Sequence, residues 1–122
     1  MIDRHFNVFD VVIENGAAVS SDFEFGWAAG GAIVVGAAAW TAANIGFQFS
    51  NDRVNWIIAR DESGVALQIS NVDTTNGRGY AIPEKAFGFG RFVRLWSKNT
   101  SSGTETDTNQ GAQRTLTVML KG

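Results

Sequence analysis

The sequence predicts a single all-β domain, an antiparallel β-sandwich or jelly roll spanning residues 1–122. Three observations carry that expectation: apolar residues recur with a period of two, turn-forming residues break the runs at short intervals, and 122 residues suit one domain. A chain of this length buries roughly two thirds of the surface its unfolded form exposes. The supply for a core is ample, at 44% hydrophobic residues with nine Phe and four Trp.

The alternation is cleanest in Asn44-Ile45-Gly46-Phe47-Gln48-Phe49-Ser50 and recurs in Ser21–Trp27. Near the C-terminus, Thr115–Leu120 places Leu116, Val118 and Leu120 on one face. Further strands are expected at Val8–Ile13, Asn55–Arg60, Ala66–Ser70, Gly79–Ile82 and Arg91–Ser97, with residues 1–13 read as an N-terminal arm or an edge strand. Asn15-Gly16, Gly30-Gly31, Asp61-Glu62-Ser63-Gly64 and Asn76-Gly77 supply turns, and Asn51–Asn55 reads as a hairpin loop. Ala37–Asn44 is Ala-rich enough for one helical turn. The segment 98–111 has nothing apolar to anchor it and reads as a long polar loop.

Composition excludes several classes. Without cysteine there is no disulfide framework, thiolate site or cysteine nucleophile. The net charge is −2 and the basic residues stand singly, so no basic stripe for nucleic acid is present. The N-terminus has no basic start followed by an apolar run, and no export signal is expected. The apolar stretch Ala28–Trp40 spans 13 residues, where a membrane helix needs about 20. Neither nucleic acid nor membrane is expected as a partner.

Catalytic patterns are equally thin. The single histidine, His5, lies near the terminus and reads as a solvated residue rather than a triad member or ligand. Asp61 and Glu62 are adjacent, so on a strand they would face opposite ways. Asp52, Asp61 and Asp73 sit in expected loops, where three carboxylates can gather on calcium, but no Asp-x-Asp-x-Asp spacing supports this and turn formation is the simpler reading. No Walker, Gly-x-Gly-x-x-Gly or Gly-x-Ser-x-Gly pattern occurs. The expectation is a protein that is not an enzyme and takes no cofactor or metal.

In Arg91–Ser97, Val93 and Leu95 share one face while Phe92, Arg94 and Trp96 share the other. A strand with large side chains on both faces is expected to be covered on both, by a loop of its own chain or by another chain. Trp and Arg are enriched at protein interfaces, which points to oligomerisation.

Three pieces in order carry a resemblance: Ala39-Trp40-Thr41-Ala42-Ala43-Asn44-Ile45-Gly46-Phe47 running on to Ser50-Asn51-Asp52, then Arg91-Phe92-Val93-Arg94-Leu95-Trp96-Ser97, then Asn109-Gln110-Gly111-Ala112-Gln113-Arg114-Thr115-Leu116. Over residues 39–122 the chain resembles small tailed-bacteriophage virion proteins of β-sandwich or jelly-roll fold, in the style of capsid decoration (cement) proteins. The resemblance implies a homotrimer on the capsid surface of the virion, made in the host cytoplasm, whose partners are itself and the major capsid protein. It carries over no catalytic residue. On that reading the oligomer or capsid interface falls on Phe6, Val8 and Phe9 of the N-terminal segment and on Phe92, Arg94 and Trp96. Replacing Trp96 by Ala is then expected to lower the oligomer mass.

Two other readings stand beside it. A carbohydrate-binding module on a similar sandwich would use Trp40, Trp56 and Tyr80 as an aromatic platform. A tail or baseplate adaptor would share the fold and differ in its place on the particle.

Overall fold

The computed structural model of the protein describes residues 6–36 and 40–122. Its strands make two antiparallel sheets facing each other across one core, a β-sandwich. The first sheet has the order β1 (Phe6–Ile13), β10 (Arg114–Lys121), β3 (Gly30–Val35), β7 (Arg78–Ala81). The second has the order β2 (Phe23–Glu24), β8 (Phe92–Ser101), β4 (Asn44–Ser50), β5 (Ile57–Ile58). There β6 (Gln68–Ile69) also pairs with β4, and β9 (Thr104–Asp107) pairs with the far end of β8. A 3-10 turn at Glu84–Ala86 is the one helical element among the described residues.

Every second residue of the long strands enters the core, as the period of two requires. Val11 and Ile13, Ile33 and Val35, and Leu116, Val118 and Leu120 come from the first sheet. They meet Ile45 and Phe47 of β4 and Val93 and Leu95 of β8. An aromatic chain lies along the core: Phe9 meets Phe23 edge-on at 5.2 Å, Phe23 meets Phe25 at 5.9 Å, and Phe25 stacks on Phe87 at 4.8 Å. Such contacts stabilise by about 0.5–1.5 kcal/mol each beyond the area they bury.

The chain departs from the sequence-based expectation most clearly in four places, while the strands expected at Asn55–Arg60 and Ala66–Ser70 shorten to β5 and β6. No strand was expected within Ala28–Trp40 and Gly30-Gly31 was expected to turn, yet β3 is an interior strand between β10 and β7, apolar at the partly open Ala32 and Val34 as well as at the buried Ile33 and Val35. Within Ser21–Trp27 only Phe23 and Glu24 pair, because the N–H groups of Phe25 and Gly26 both turn onto the Arg91 carbonyl, at 2.7 and 3.2 Å. Residues 40–43 are irregular rather than helical; residues 37–39 of that expected turn, like His5 and the rest of 1–5, lie outside the described residues.

The fourth departure is the largest. Residues 98–111 are not a long polar loop: β8 runs on to Ser101, reverses at Ser102 and Gly103, and returns as β9. Both turn residues are left-handed, with φ of 51° and 77°, the conformation two-residue hairpin loops need. Thr and Asn on a solvated hairpin satisfy the ladder without any apolar anchor. Of the expected N-terminal arm or edge strand, Phe6–Ile13 is an edge strand, paired along its whole length with β10.

Candidate functional site

Side chains that leave the core side of β8 meet cations of their own chain. The Arg53 guanidinium lies 4.0 Å above the Phe92 ring and Arg91 lies 5.1 Å from it. Arg94 stacks 4.5 Å from the Trp56 ring, and the Lys98 ammonium lies 5.9 Å from that of Trp96. Trp96 also donates its indole N–H to Asp107 at 2.7 Å. Phe92 and Trp96 are 8% and 4% exposed. The double-faced pattern of Arg91–Ser97 therefore comes from a face closed by arginine and lysine stems, which cover apolar surface while keeping their charge.

Lys98 is the centre of this face. It is 0% exposed, its ammonium donates to Gln68 and to Thr100 at 3.3 Å, and Glu105 stands 3.8 Å away. Glu105 is held in turn by Arg60 at 3.1 Å. The lysine on β8 reaches Gln68 on β6 by crossing β4 at Gly46, where a β-carbon would come within 3.1 Å of both the Lys98 chain and the Trp96 ring. Burial lowers the Lys98 ammonium below its usual pKa, partly offset by the Glu105 charge. Burial pushes the Glu105 carboxyl up, but the Arg60 hydrogen bond and the charges of Lys98 and Arg60 together reverse this and hold it low.

Gln110 is the second buried polar anchor, also 0% exposed. Its side-chain oxygen accepts from the Thr41 N–H at 2.9 Å and from Arg114 at 3.1 Å. Its amide nitrogen donates to the Thr41 carbonyl at 3.1 Å and to the Ser97 hydroxyl at 2.8 Å. The amide thus imitates one rung of a β-ladder. Among the described residues no buried side-chain nitrogen or oxygen lacks a partner.

Arg94 differs from its neighbours. Its Nε donates to Gln48 at 2.8 Å, while no carboxylate lies within ion-pair distance among the described residues. Desolvation lowers its pKa, opposed by the more distant Asp107 and Asp22.

The loop aspartates do not gather. Asp52 accepts the N–H groups of Val54 and Asn55, each at 2.8 Å, with the Ser50 hydroxyl and the Asn55 amide. Asp61 accepts from Ser63 and Val65, at 2.8 and 3.0 Å. Asp73 accepts from Thr75, Asn76 and Arg78. Each carboxylate closes its own turn on donors, and donors are the wrong company for a cation. Backbone N–H groups hold Asp52, and the Arg78 bond holds Asp73, well below the usual carboxylate range. No group of three His, Asp or Glu side chains with metal-site spacing exists among the described residues, and no helix there is long and apolar enough to cross a membrane.

The outer face of the first sheet is built differently. Val8, Met119, Ala32 and Ala81 form one row running from β1 across β10 and β3 to β7. Asp10, Thr117, Val34 and Gly79 form the next, with Asp10 accepting from the Thr117 hydroxyl at 2.8 Å. Phe6 and Val8 are 61% and 54% exposed. Phe6, Gly31, Ala32, Met119 and Lys121 line a shallow groove there.

The six residues expected at an interface are thus separated. Phe6 and Val8 lie exposed on the outer face of β1, while Phe9 points inward onto Phe23. Phe92 and Trp96 are buried on the second sheet and only Arg94 is partly open there. The aromatic platform does not form either. Trp40 is buried with its N–H on the Ala43 carbonyl, Trp56 lies over Arg94, and Tyr80 sits on the first sheet with its hydroxyl accepting from the Asp73 N–H at 2.8 Å. Sequence reasoning missed Lys98 and Gln110: Lys98 continues the Phe92, Arg94, Trp96 face of β8, a signal of position, whereas Gln110 lies between β9 and β10, where no periodicity marks it. No protein-family model, curated protein or solved structure matches the chain.

Proposed function

We propose that this is a non-enzymatic structural protein of a tailed-bacteriophage virion, a capsid decoration (cement) protein that docks as a homotrimer on the major capsid protein of the assembled head. The observation that supports the reading most is the winding of the chain. The first strand lies beside the last, and the chain changes sheet between β1 and β2, β2 and β3, β3 and β4, β6 and β7, β7 and β8, and β9 and β10. We read this double Greek-key course as a jelly roll, an architecture that recurs in viral capsid domains.

Fold alone leaves function open, and two further features favour a docking role. The exposed apolar residues Phe6 and Val8 stand on a paired strand, so their backbone loses little freedom on binding. Lys98 and Gln110 tie the hairpin, the strand ends and residue 41 into one body. A protein that binds only the assembled shell stabilises it by mass action, and lattice repetition multiplies a modest affinity.

The test is to add purified, gold-labelled protein to phage heads that lack it and to heat the particles. Label spread over the head with a raised disruption temperature is the expected result. Label at the tail or baseplate selects the adaptor reading, and absence of binding to any particle refutes both.

A further inference from the structure

We infer that β1 of one copy pairs with β7 of the next, head to tail, and that three such junctions close a ring; the inference rests on the homotrimer reading above. β1 and β7 are the two outer strands of one sheet. Val12 shows where the free groups of β1 point. Its N–H donates to the Ser21 hydroxyl at 3.3 Å and its carbonyl accepts the Ser21 N–H at 3.0 Å, on the side away from β10. By the alternation of an antiparallel ladder, the N–H and C=O groups of Phe6, Val8 and Asp10 point the same way. Among the described residues nothing pairs with them.

On β7 the Ile82 N–H reaches the Gly31 carbonyl at 3.0 Å, so Arg78 and Tyr80 also turn their backbone groups to β3. Gly79 and Ala81 therefore present theirs outward. Neither strand carries proline or lysine, and the one charged residue on each, Asp10 on β1 and Arg78 on β7, is bonded within its own copy to Thr117 and Asp73. Two bare edges on one sheet invite a strand.

Direction, shape and continuity favour a second copy of this chain joining β1 through β7. Successive pairs in the sheet are antiparallel, so β1 and β7 run opposite ways. A rotation about an axis along the strands preserves directions and lays β7 of one copy antiparallel to β1 of the next. In the register that sets Phe6 opposite Ala81 and Val8 opposite Gly79, each large outer-face side chain meets a small one. A twofold β1–β1 contact centred on Val8 would instead put Phe6 beside Asp10. The apolar row from Val8 through Met119 and Ala32 to Ala81 runs from one free edge to the other, and at the junction its Ala81 end meets Phe6 of the next copy. A head-to-tail contact that closes by rotation gives a ring.

The test uses Val8→Pro and Ala81→Pro with light scattering on the whole chain. Both N–H groups point outward, so each proline removes a junction donor and no ladder bond within the copy. The expected result is a wild-type mass of three chains, a folded monomer for each variant, and a two-chain species when the variants are mixed in equal amounts. That species arises because Val8→Pro keeps a working β7 and Ala81→Pro a working β1. Trimers that survive both substitutions overturn the junction and leave the homotrimer reading standing. Dimers of Ala81→Pro that Val8→Pro cannot form point to a β1–β1 contact and overturn it too. A wild-type monomer at high concentration removes junction and homotrimer together. Should a proline unfold the chain, Val8→Lys and Gly79→Lys crowd the same junction, and unchanged trimers in both count against it.

Discussion

The side chain of Lys98 lies over Gly46, where a methyl group would sit only 3.1 Å from the lysine chain and from the Trp96 ring. That contact lets a charge on one strand be satisfied two strands away, at Gln68 on β6. Gly46→Ala presses on Trp96 and Lys98 together and is expected to destabilise the fold by about 1 kcal/mol, the low end of overpacking. The midpoint of urea unfolding measures this, and an unchanged midpoint would mean the lysine chain swings clear at no cost.

Gln110→Glu keeps the shape of the side chain and replaces the nitrogen that donates to Thr41 and Ser97 by an acceptor. Two oxygens then face each other in a site without water access. A loss of about 3 kcal/mol at neutral pH is expected, on the scale of an unmet buried partner with charge. Protonating the new carboxyl restores a donor, so the deficit should shrink toward acid pH when unfolding is followed at pH 7 and pH 4.

Trp96→Ala is a folding probe rather than an interface probe, because the ring is 4% exposed within one copy. The expected cost is about 3–5 kcal/mol, typical of deleting a buried aromatic. Trp96→Phe loses the bond to Asp107 and is expected to lose about 1.5–3 kcal/mol. Thermal unfolding at a concentration where the chain is monomeric separates these losses from any change of assembly.

Acid should unfold the protein through its carboxylates. Asp52, Asp73 and Glu105 all titrate below their ordinary values when folded. A depressed carboxyl contributes stability that is fully present above its unfolded pKa and is lost as pH falls through the folded one. Stability should therefore hold from neutrality to about pH 4.5 and decline below it. Asp52→Asn should flatten that decline, shown by a smaller wild-type-minus-variant difference in unfolding midpoint at pH 2 than at pH 7. Lys98 acts in the opposite range: its lowered pKa means the unfolded chain binds the extra proton, so its share of stability rises with pH toward 10.5.

Long strands with clean alternation were legible because packing and period agree. β4, β8 and β10 follow Ile45 and Phe47, Val93 and Leu95, and Leu116, Val118 and Leu120. β3 was hidden because its outer-face positions Ala32 and Val34 are as apolar as the core-facing Ile33 and Val35, which leaves no polar alternation to read. The hairpin of β8 and β9 was hidden because its Thr and Asn residues are equally at home in a loop, and only the register with Lys98 shows them paired. The burial of Phe92 and Trp96 within one copy was hidden for a related reason. Phe92 and Trp96 look unsheltered in sequence because their covers, Arg53 and Lys98, are cations, and Arg53 comes from a different hairpin.

The position of β10 between β1 and β3 has a consequence for how the chain becomes native. During synthesis β3 gains its β7 neighbour once residues 78–81 are made, yet β1 has no partner in its sheet until residues 114–121 arrive. All eight rungs between β1 and β10 join residues about a hundred positions apart, with Phe6 opposite Lys121. Such non-local closure makes folding slow relative to helical proteins of the same size. The first sheet is therefore completed only when residues 114–121 are made, and a ribosome stalled before residue 114 would hold β1 unpaired, the β3–β7 pair separate from it and an open core.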